Sequence, residues 1–317
     1  MQTKENVITG YAQQVISQVR KVIVDKDPAL LWVLAVILAR GHILLEDIPG
    51  VGKTTMAVAF SRVLGLSYNR VQFTPDVLPS DVTGYTMLDQ ASGQMTYKPG
   101  AVMCNLFLAD ELNRATSRTQ SALLEAMEEG QVTVDGTAHK LPQPFTVIAT
   151  QNPTGAAGTQ LLPDSQMDRF TLRMSLGYPN VADEKAMVLN RQGKNPMAEL
   201  TTLLNDENLT WMQDEVANTY ISEKVVEYIV SLIDATRHND RILRGASPRA
   251  TLSVAAVSKA VAQLRGRDYV TPKDVQEVFL KTIPHRLLLS SHAESSGVTP
   301  ERILRDILGQ VSAPGAR

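Results

Sequence analysis

The sequence predicts an α/β domain with a central parallel sheet and flanking helices, followed by a smaller all-α domain. Short apolar runs, suited to strands that are buried on both faces, alternate with helical patterns through the first half of the chain. A glycine-rich turn joins the first of these runs to a helix. From residue 183 onward helical periodicity continues without another buried strand run. We therefore expect the α/β domain over residues 1–180 and the helical domain over residues 181–317.

The α/β domain is expected to begin with two helices and then to alternate strands with helices. Apolar residues recur at helical spacing over residues 9–21, and an apolar stretch at 27–41 carries Pro28 near its start. The predicted buried strands read "HILLE", "NLFLADE" and "PFTVIATQN". Further helices are expected at residues 52–64 and at Ser117–Glu129. This order is typical of a parallel sheet that helices cover on both faces.

Two glycine-containing turns predict β-hairpins. The dipeptide "DG" at 135–136 lies among alternating residues, which is a strong signal for a two-residue hairpin turn. The dipeptide "SG" at 92–93 has similar surroundings, and this hairpin, at about residues 85–99, is expected to be an insertion. In the helical domain Ser247 and Thr271 each come directly before a proline, as residues that cap helix N-termini do.

Composition and charge narrow the class of protein. Hydrophobic residues make up 44% and charged residues 20% of the chain, as in water-soluble globular proteins. The net charge is −2, so no overall positive field attracts nucleic acid. The longest apolar run, residues 29–39, is too short to cross a bilayer, and the N-terminus lacks the apolar segment of a signal peptide. We expect a cytoplasmic protein without direct membrane insertion, and the charge argues against a nucleic-acid partner.

The stretch "LLEDIPGVGKTT" has most of the features of a phosphate-binding loop between a strand and a helix. Gly50 and Gly52 would let backbone N–H groups turn inward at a helix N-terminus, where an anion is stabilised. Lys53 would reach the β- and γ-phosphates, and the Thr54 hydroxyl would bind Mg²⁺. Asp47 stands where the pattern has its first glycine. Taken alone, the stretch is also compatible with a glycine-rich turn and a surface lysine.

Polar residues also end the two later buried strands. Asp110 and Glu111 follow "NLFLA"; the first acid would hold Mg²⁺, and the second would activate an attacking water. Asn152 ends "PFTVIATQN", and its amide would orient that water beside the γ-phosphate. Solvated strand ends or turns would explain each residue singly. Because the carboxyl ends of parallel strands meet at one sheet edge, we expect the loop, the acids and the amide to converge.

Two arginines are candidates for neutralising charge on a transferring phosphate. Arg169 lies in "MDRF", just before the helical domain, and Arg249 lies in "ASPRA" in the first turn of a predicted helix. An arginine supplied by a neighbouring subunit can accelerate phosphoryl transfer by roughly 10³–10⁵. Ordinary surface salt bridges would also explain either residue.

Together these residues resemble the MoxR family of AAA+ ATPases. The resemblance spans roughly residues 20–290 and includes "LLEDIPGVGKT", "FTPDVLPSDVTGY", "GAVMCNLFLADELNRATSRTQSALLEAMEEGQVTVDG", "FTVIATQNP", "LPDSQMDRF" and "GASPRA". It implies an AAA+ P-loop core, a helical lid, and the hairpin at 85–99 as the helix-2 insert of this clade, which faces the pore or the substrate. The residues implied to hold ATP and Mg²⁺ are Asp47, Pro49, Gly50, Val51, Gly52, Lys53, Thr54, Thr55 and Asp110, with Thr54 and Asp110 on the metal.

The resemblance also implies four catalytic roles. Glu111 would activate water, and Asn152 would be sensor 1. Arg169 would be the finger that acts on the adjacent subunit's nucleotide, and Arg249 would be sensor 2, reaching back from the lid. Arg114 and Arg118 are weaker candidates for contact with a neighbouring subunit, since solvated charges at a helix start explain them equally well.

The function implied by the resemblance is Mg²⁺-dependent ATP hydrolysis by a homo-oligomeric, hexameric ring. The ring would drive chaperone-like remodelling or maturation of partner proteins, often ones with a von Willebrand factor A domain. Three alternatives stay open: a metal-chelatase motor subunit, a nucleic-acid remodelling motor and a non-hydrolysing nucleotide switch. The near-neutral charge argues against the second, and the acid pair Asp110–Glu111 argues against the third.

The sequence departs from the family pattern at two places. "IVDK", at residues 23–26, stands where the family often has a Gly-Gln pair beside the adenine. Asp47 replaces the first glycine of the loop, and aspartate tolerates turn conformations better than most residues. We expect its carboxylate to point away from the phosphates and to accept hydrogen bonds from local backbone N–H groups. Asp47→Gly should then leave ATP affinity within a few-fold.

Overall fold

The structure is a computed structural model that describes residues 7–24, 26–48, 50–152, 162–190 and 195–315. Pro49, one of the expected ATP-binding residues, lies outside the described residues. The described strands, in chain order, are β1 (Ile43–Glu46), β2 (Tyr68–Gln72), β3 (Gly84–Leu88), β4 (Met95–Pro99), β5 (Leu106–Asp110), β6 (Gln131–Val134), β7 (Thr137–Lys140), β8 (Thr146–Gln151), β9 (Leu172–Met174), β10 (Ile242–Arg244) and β11 (Leu288–Leu289).

Helices surround these strands and make up most of the chain beyond residue 180. Short 3₁₀ turns lie at Leu112–Arg114, Pro196–Glu199 and Pro284–Arg286. The described α-helices are α1 (Val7–Val19), α2 (Asp27–Leu38), α3 (Lys53–Val63), α4 (Pro79–Thr83), α5 (Ser117–Glu129), α6 (Asp164–Met167), α7 (Val181–Asn190), α8 (Asp206–Ala217), α9 (Glu223–Arg237), α10 (Pro248–Leu264), α11 (Pro272–Thr282), α12 (Ser291–Ser295) and α13 (Pro300–Gln310).

The central sheet has five parallel strands in the order β2-β5-β8-β1-β9. The three inner strands are those predicted from apolar runs, and almost every residue in them is buried. The two edge strands were missed. β2 contains half-buried and exposed residues and no fully buried one, and β9 is only three residues long, so neither presents a continuous apolar run. The carboxyl ends of β1, β5 and β8 meet at one edge of the sheet, as the sequence predicted.

Both predicted hairpins are present as antiparallel pairs outside the central sheet. β3 pairs with β4 and β6 pairs with β7. At the second turn Asp135 and Gly136 have φ angles of +48° and +77°, as a two-residue hairpin turn of this hand requires. Tyr97 and His139 stack with their ring centroids 3.7 Å apart, so the two hairpins support one another.

The lid, taken from α8 onward, is mainly helical, as predicted. The predicted caps are present, because Ser247 accepts a hydrogen bond from Ala250 N and Thr271 accepts one from Asp274 N. The sequence pattern did not indicate one addition, the short antiparallel pair β10–β11. None of the helices within the described ranges is both long and apolar enough to cross a membrane.

The two N-terminal helices pack against the lid as well as against the sheet. Buried residues of α1, α2 and α3 form one apolar cluster with buried residues of α8 to α11 and α13. Polar contacts support this packing: Thr9 Oγ1 donates to Gln263 O at 2.8 Å, and Gln213 Nε2 donates to Ile37 O at 2.8 Å. The lid is thereby held beside the start of the chain rather than attached through its connecting segment alone.

Candidate ATP-binding site

The loop after β1 has the backbone of a phosphate cradle. Gly50 and Gly52 have φ angles of +90° and +96°, which residues with a Cβ atom rarely adopt. Gly52 is also the N-cap of α3, so the first N–H groups of this helix have no partners within it. A helix N-terminus that follows such a turn is a ready anion site.

The Lys53 side chain is folded into this loop. Only 7% of the residue is exposed, and its ammonium donates to Asp47 O at 2.6 Å and to Ile48 O at 3.4 Å. Burial lowers the pKa of Lys53, and the negative charges of Asp47, Asp110 and Glu111 oppose that lowering. The ammonium is therefore held by carbonyl oxygens at the position from which it would reach a phosphate.

Asp110 is buried at the end of β5 and has three kinds of neighbour. Its Oδ1 accepts a hydrogen bond of 2.6 Å from the Thr150 hydroxyl. Its Oδ2 accepts two hydrogen bonds from Arg70, at 2.7 and 3.1 Å, and faces the Thr54 hydroxyl at 3.5 Å. The two residues expected to bind Mg²⁺ are thus adjacent, and both offer the oxygen ligands that this ion prefers.

Glu111 begins the turn after β5 in a left-handed conformation, with φ of +57°. Its backbone N–H donates to Thr150 Oγ1 at 2.9 Å, which fixes this uncommon geometry. Its carboxylate accepts from Arg114 Nη1 at 2.9 Å and from Asn152 Nδ2 at 3.4 Å. The predicted convergence of acid pair and amide is therefore present, and Arg114 contacts Glu111 of its own chain. Arg118 is exposed in the first turn of α5.

One cavity of about 580 Å³ joins these groups. Sequence reasoning missed Arg70 in it, because Arg70 lies on the edge strand β2, which has no apolar run to mark it. It also missed Thr150, although a hydroxyl inside the apolar strand β8 was a readable signal. The cavity is lined by Val22, Ile23, Val24, Lys26, Gly50, Val51, Gly52, Lys53, Thr54, Thr55, Arg70, Gln72, Asp110, Glu111, Asn152, Tyr178, Pro179 and Glu184.

The two candidate arginines lie together, away from the residues that line this cavity. Arg169 Nε is 3.0 Å from Glu128 Oε2, and Arg249 pairs with the other oxygen of the same carboxylate. Arg249 does not reach back from the lid to the cavity that holds Lys53, because the start of α10 is docked near the end of α5. The role of Arg249 as sensor 2 stays a prediction.

Two polar contacts to Asp168, one of them from the buried Arg286, support this docking of the lid. The Ser247 hydroxyl donates to Asp168 Oδ2 at 2.8 Å, and Arg286 Nη1 is 3.1 Å from Asp168 Oδ1. Burial lowers the pKa of Arg286 to about 10, and the charge of Asp168 opposes this effect. Arg286 therefore remains protonated at neutral pH and ties the lid to the residue next to Arg169.

Asp47 does not contact local backbone as expected. Its carboxylate accepts hydrogen bonds from the Ser175 hydroxyl and from the backbone N–H groups of Leu176 and Gly177, which follow β9. It is absent from the residues that line the cavity. The prediction of local hydrogen bonds was therefore wrong: the partners are more than a hundred residues away in the chain.

Comparisons with known proteins agree with this architecture. Residues 42–172 match the ATPase family associated with various cellular activities (AAA), and residues 234–307 match the AAA lid domain. The chain is 41% identical to the uncharacterized protein YeaC of Bacillus subtilis, over 95% of this chain and 94% of that protein. It is 37% identical to the chaperone MoxR1 of Mycobacterium tuberculosis, over 95% of this chain and 82% of that protein.

A solved structure from Cytophaga hutchinsonii has the same fold. It is 35% identical in sequence, superposes with a TM-score of 0.91 and is covered over 98% of each chain. The identity to MoxR1 extends over both the sheet domain and the lid, and the AAA match covers the loop, the acid pair and Asn152. The chain belongs to the MoxR family of AAA+ ATPases.

Proposed function

We propose that this ATPase binds ATP with Mg²⁺ and uses hydrolysis to remodel or mature partner proteins, as a hexameric ring with its sites between subunits. The observation that carries the proposal is how the polar groups are distributed. Lys53, Asp110 and Glu111 line one cavity, whereas Arg169 and Arg249 share a carboxylate elsewhere. A complete hydrolytic set then requires a second copy of the chain.

The cavity suits a nucleotide with a bound divalent ion. Its volume, about 580 Å³, is in the range of small-molecule sites. The glycine cradle and Lys53 are complementary to phosphate oxygens, and the Thr54 hydroxyl and Asp110 carboxylate are hard oxygen ligands. When bound, ATP supplies the scissile phosphoanhydride and Mg²⁺ supplies positive charge beside it.

The residues of this chain would have separate roles in binding and hydrolysis. Backbone N–H groups from Gly50 to Thr55 and the Lys53 ammonium would bind phosphate oxygens, while Thr54 and Asp110 hold the ion. Glu111 would accept the proton of the attacking water, with Asn152 orienting it. Arg114 Nη1, 2.9 Å from Glu111 Oε2, would help to orient this carboxylate.

Arg169 and Arg249 would act together on the nucleotide of an adjacent subunit. Two guanidinium groups held by one carboxylate present a concentrated positive charge, which suits the charge that develops on a transferring phosphate. In this arrangement the core provides one arginine and the lid the other. A change in the angle between core and lid after hydrolysis would therefore move one arginine relative to the other in the neighbouring site.

The partner in this proposal is a protein, with one carrying a von Willebrand factor A domain as the first candidate. The name of the relative MoxR1 describes that protein as a chaperone, which supports the choice over a chelatase or a nucleic-acid motor. The net charge of −2 also argues against nucleic acid. We place the protein in the cytoplasm, with residues 1–180 as core, the hairpin near residues 85–99 as helix-2 insert and residues 181–317 as lid.

A trapping experiment tests the proposal. Glu111→Gln should keep ATP binding but lose most phosphate release, because the amide cannot accept the proton. A pull-down with Glu111→Gln in ATP should then retain partner proteins that the wild-type chain in ADP does not. Wild-type rates of phosphate release by Glu111→Gln would refute the role of Glu111.

A further inference from the structure

Asp47 has an unusual set of partners for a residue in a phosphate loop. Only 5% of it is exposed, and its carboxylate accepts from Ser175 Oγ at 2.6 Å, Leu176 N at 2.6 Å and Gly177 N at 3.1 Å. A buried carboxylate is stable only with such compensation, and hydrogen bonds to a charged acceptor are the stronger kind. These contacts fix three consecutive residues of another part of the chain against the start of the loop.

The fixed residues lead directly into a wall of the cavity. After Ser175, Leu176 and Gly177, the chain continues through Tyr178 and Pro179, which both line the cavity. The φ angle of Gly177, +64°, turns the chain at this point. A second contact holds the same wall, because Lys26 Nζ donates to Tyr178 O at 3.0 Å.

Tyr178 and Pro179 belong to the uncharged part of the cavity lining, whereas Lys53, Asp110 and Glu111 form its charged part. The segment at residues 22–24, which is Val-Ile-Val, lines the cavity together with Tyr178 and Pro179. Aliphatic and aromatic surfaces suit the faces of a planar base. The ammonium of Lys53, in the charged part of the lining, is 2.6 Å from the backbone oxygen of Asp47. Asp47 thus contacts the lysine of the phosphate loop through its carbonyl oxygen. Its carboxylate contacts the three residues that lead into Tyr178 and Pro179.

We propose that Asp47 is a positioning residue that holds Tyr178 and Pro179 in place as the base-side wall of the nucleotide cavity. The role rests on the proposed binding of ATP. Three donors surround the carboxylate, which is absent from the cavity lining, so it would not contact the phosphates directly, although its charge also acts on Lys53. Replacement of Asp47 should therefore weaken contacts to the base rather than contacts to the phosphates, and the few-fold effect expected from sequence for Asp47→Gly is revised upward.

The test compares two ligands that share the phosphate chain. Isothermal titration in Mg²⁺ measures the affinity of ATP and of inorganic tripolyphosphate, which lacks the base and ribose. Asp47→Gly should bind ATP about tenfold more weakly and tripolyphosphate within about twofold of wild type, since the hydrogen bonds that it loses hold the segment leading to Tyr178 and Pro179. Asp47→Asn should fall between, because its Oδ1 can still accept from Ser175 and Gly177.

Two further variants keep the result interpretable if Asp47→Gly folds poorly. Ser175→Ala removes one donor from the other side of the contact and should weaken ATP binding in the same direction by about threefold. Glu46→Gln is the matched control: it removes a carboxylate one residue earlier, which pairs with Arg173 instead, and should leave both affinities unchanged.

Three outcomes would overturn the role. Equal losses of ATP and tripolyphosphate affinity would place the effect of Asp47 on the phosphate loop. Unchanged ATP affinity in Asp47→Gly, Asp47→Asn and Ser175→Ala would mean that the wall does not depend on these hydrogen bonds. Failure of the wild-type chain to bind either ligand would instead refute the proposed function, and with it any role of Asp47 in nucleotide binding.

Discussion

Arg70 lies against Asp110 and donates two hydrogen bonds to one carboxylate oxygen, from Nη2 at 2.7 Å and from Nε at 3.1 Å. The same oxygen faces the Thr54 hydroxyl at 3.5 Å. A guanidinium and a magnesium ion would therefore compete for this oxygen. Arg70 supplies the positive charge that keeps the buried Asp110 carboxylate compensated without a metal.

This arrangement predicts that Arg70 matters most for ATP binding without Mg²⁺. In excess chelator, Arg70→Gln should bind ATP about tenfold more weakly than wild type, a difference of about 1.4 kcal/mol, because the cavity loses a cation beside its acids. In saturating Mg²⁺ the affinity should stay within about threefold. Calorimetric titration measures both. The control is Arg62→Gln, which removes an exposed arginine of α3. An equal loss of ATP affinity by Arg70→Gln with and without Mg²⁺ would contradict this account.

A second prediction concerns the division of the site between subunits. Lys53→Ala and Arg169→Ala should each release little phosphate alone, and a mixture should recover part of the wild-type rate. Recovery is expected because some interfaces in a mixed ring join an intact loop to an intact arginine. Phosphate release is measured across mixing ratios, with assembly checked by sedimentation. Mixed rings that assemble but stay inactive would mean that Arg169 does not act on the neighbouring subunit.

The sequence was sufficient to predict those strands and cavity residues that are marked by neighbouring residues in the chain. Apolar runs marked the inner strands β1, β5 and β8, and the polar residues at their ends marked the cavity. The partners of Asp47 and Glu128 were beyond reach, because they lie far away in the chain and no periodicity connects them. The pairing of Arg249 with Glu128 could not be predicted for the same reason, since it depends on how the lid packs against α5 and Asp168.

A third prediction follows from the carboxylate that Arg169 and Arg249 share. Glu128→Gln leaves two guanidinium groups facing each other without compensation, so they should separate. We expect kcat to fall about threefold to tenfold with little change in KM for ATP, since the cavity of the same chain is untouched. Glu125→Gln, an exposed acid one turn earlier in α5, should have no effect.

Mixing distinguishes this role of Glu128 from general destabilisation. Lys53→Ala subunits carry an intact arginine pair, so adding them should raise turnover at the sites of Glu128→Gln subunits. A variant that is merely unstable would gain nothing from such neighbours. A rise in KM with unchanged kcat would also contradict the assignment, because it would locate the effect in nucleotide binding.

The last prediction concerns acid stability and the buried residue His42. Its Nε2 lies 3.1 Å from Met127 O, and its Nδ1 accepts a hydrogen bond of 3.0 Å from Val147 N, so the neutral ring satisfies both partners. Burial lowers the pKa of His42 to about 4. In the unfolded chain this histidine has its ordinary pKa. As the pH falls below about 6.5, the unfolded chain therefore binds a proton at His42, whereas the folded chain does not. Stability should be lost through this range, down to about pH 4.

His42→Asn tests this linkage, because an asparagine carbonyl can still accept from Val147 N but has no proton to gain. Between pH 7.5 and pH 5.0 the free energy of unfolding should fall by about 2 kcal/mol less in His42→Asn than in wild type. Urea denaturation at the two pH values measures this change in the free energy of unfolding. The comparison holds even if the substitution lowers the stability at pH 7.5. His292→Asn, at an exposed position in α12, should keep the wild-type dependence. If His42→Asn also kept the wild-type pH dependence, protonation of His42 on unfolding would not be a source of acid sensitivity.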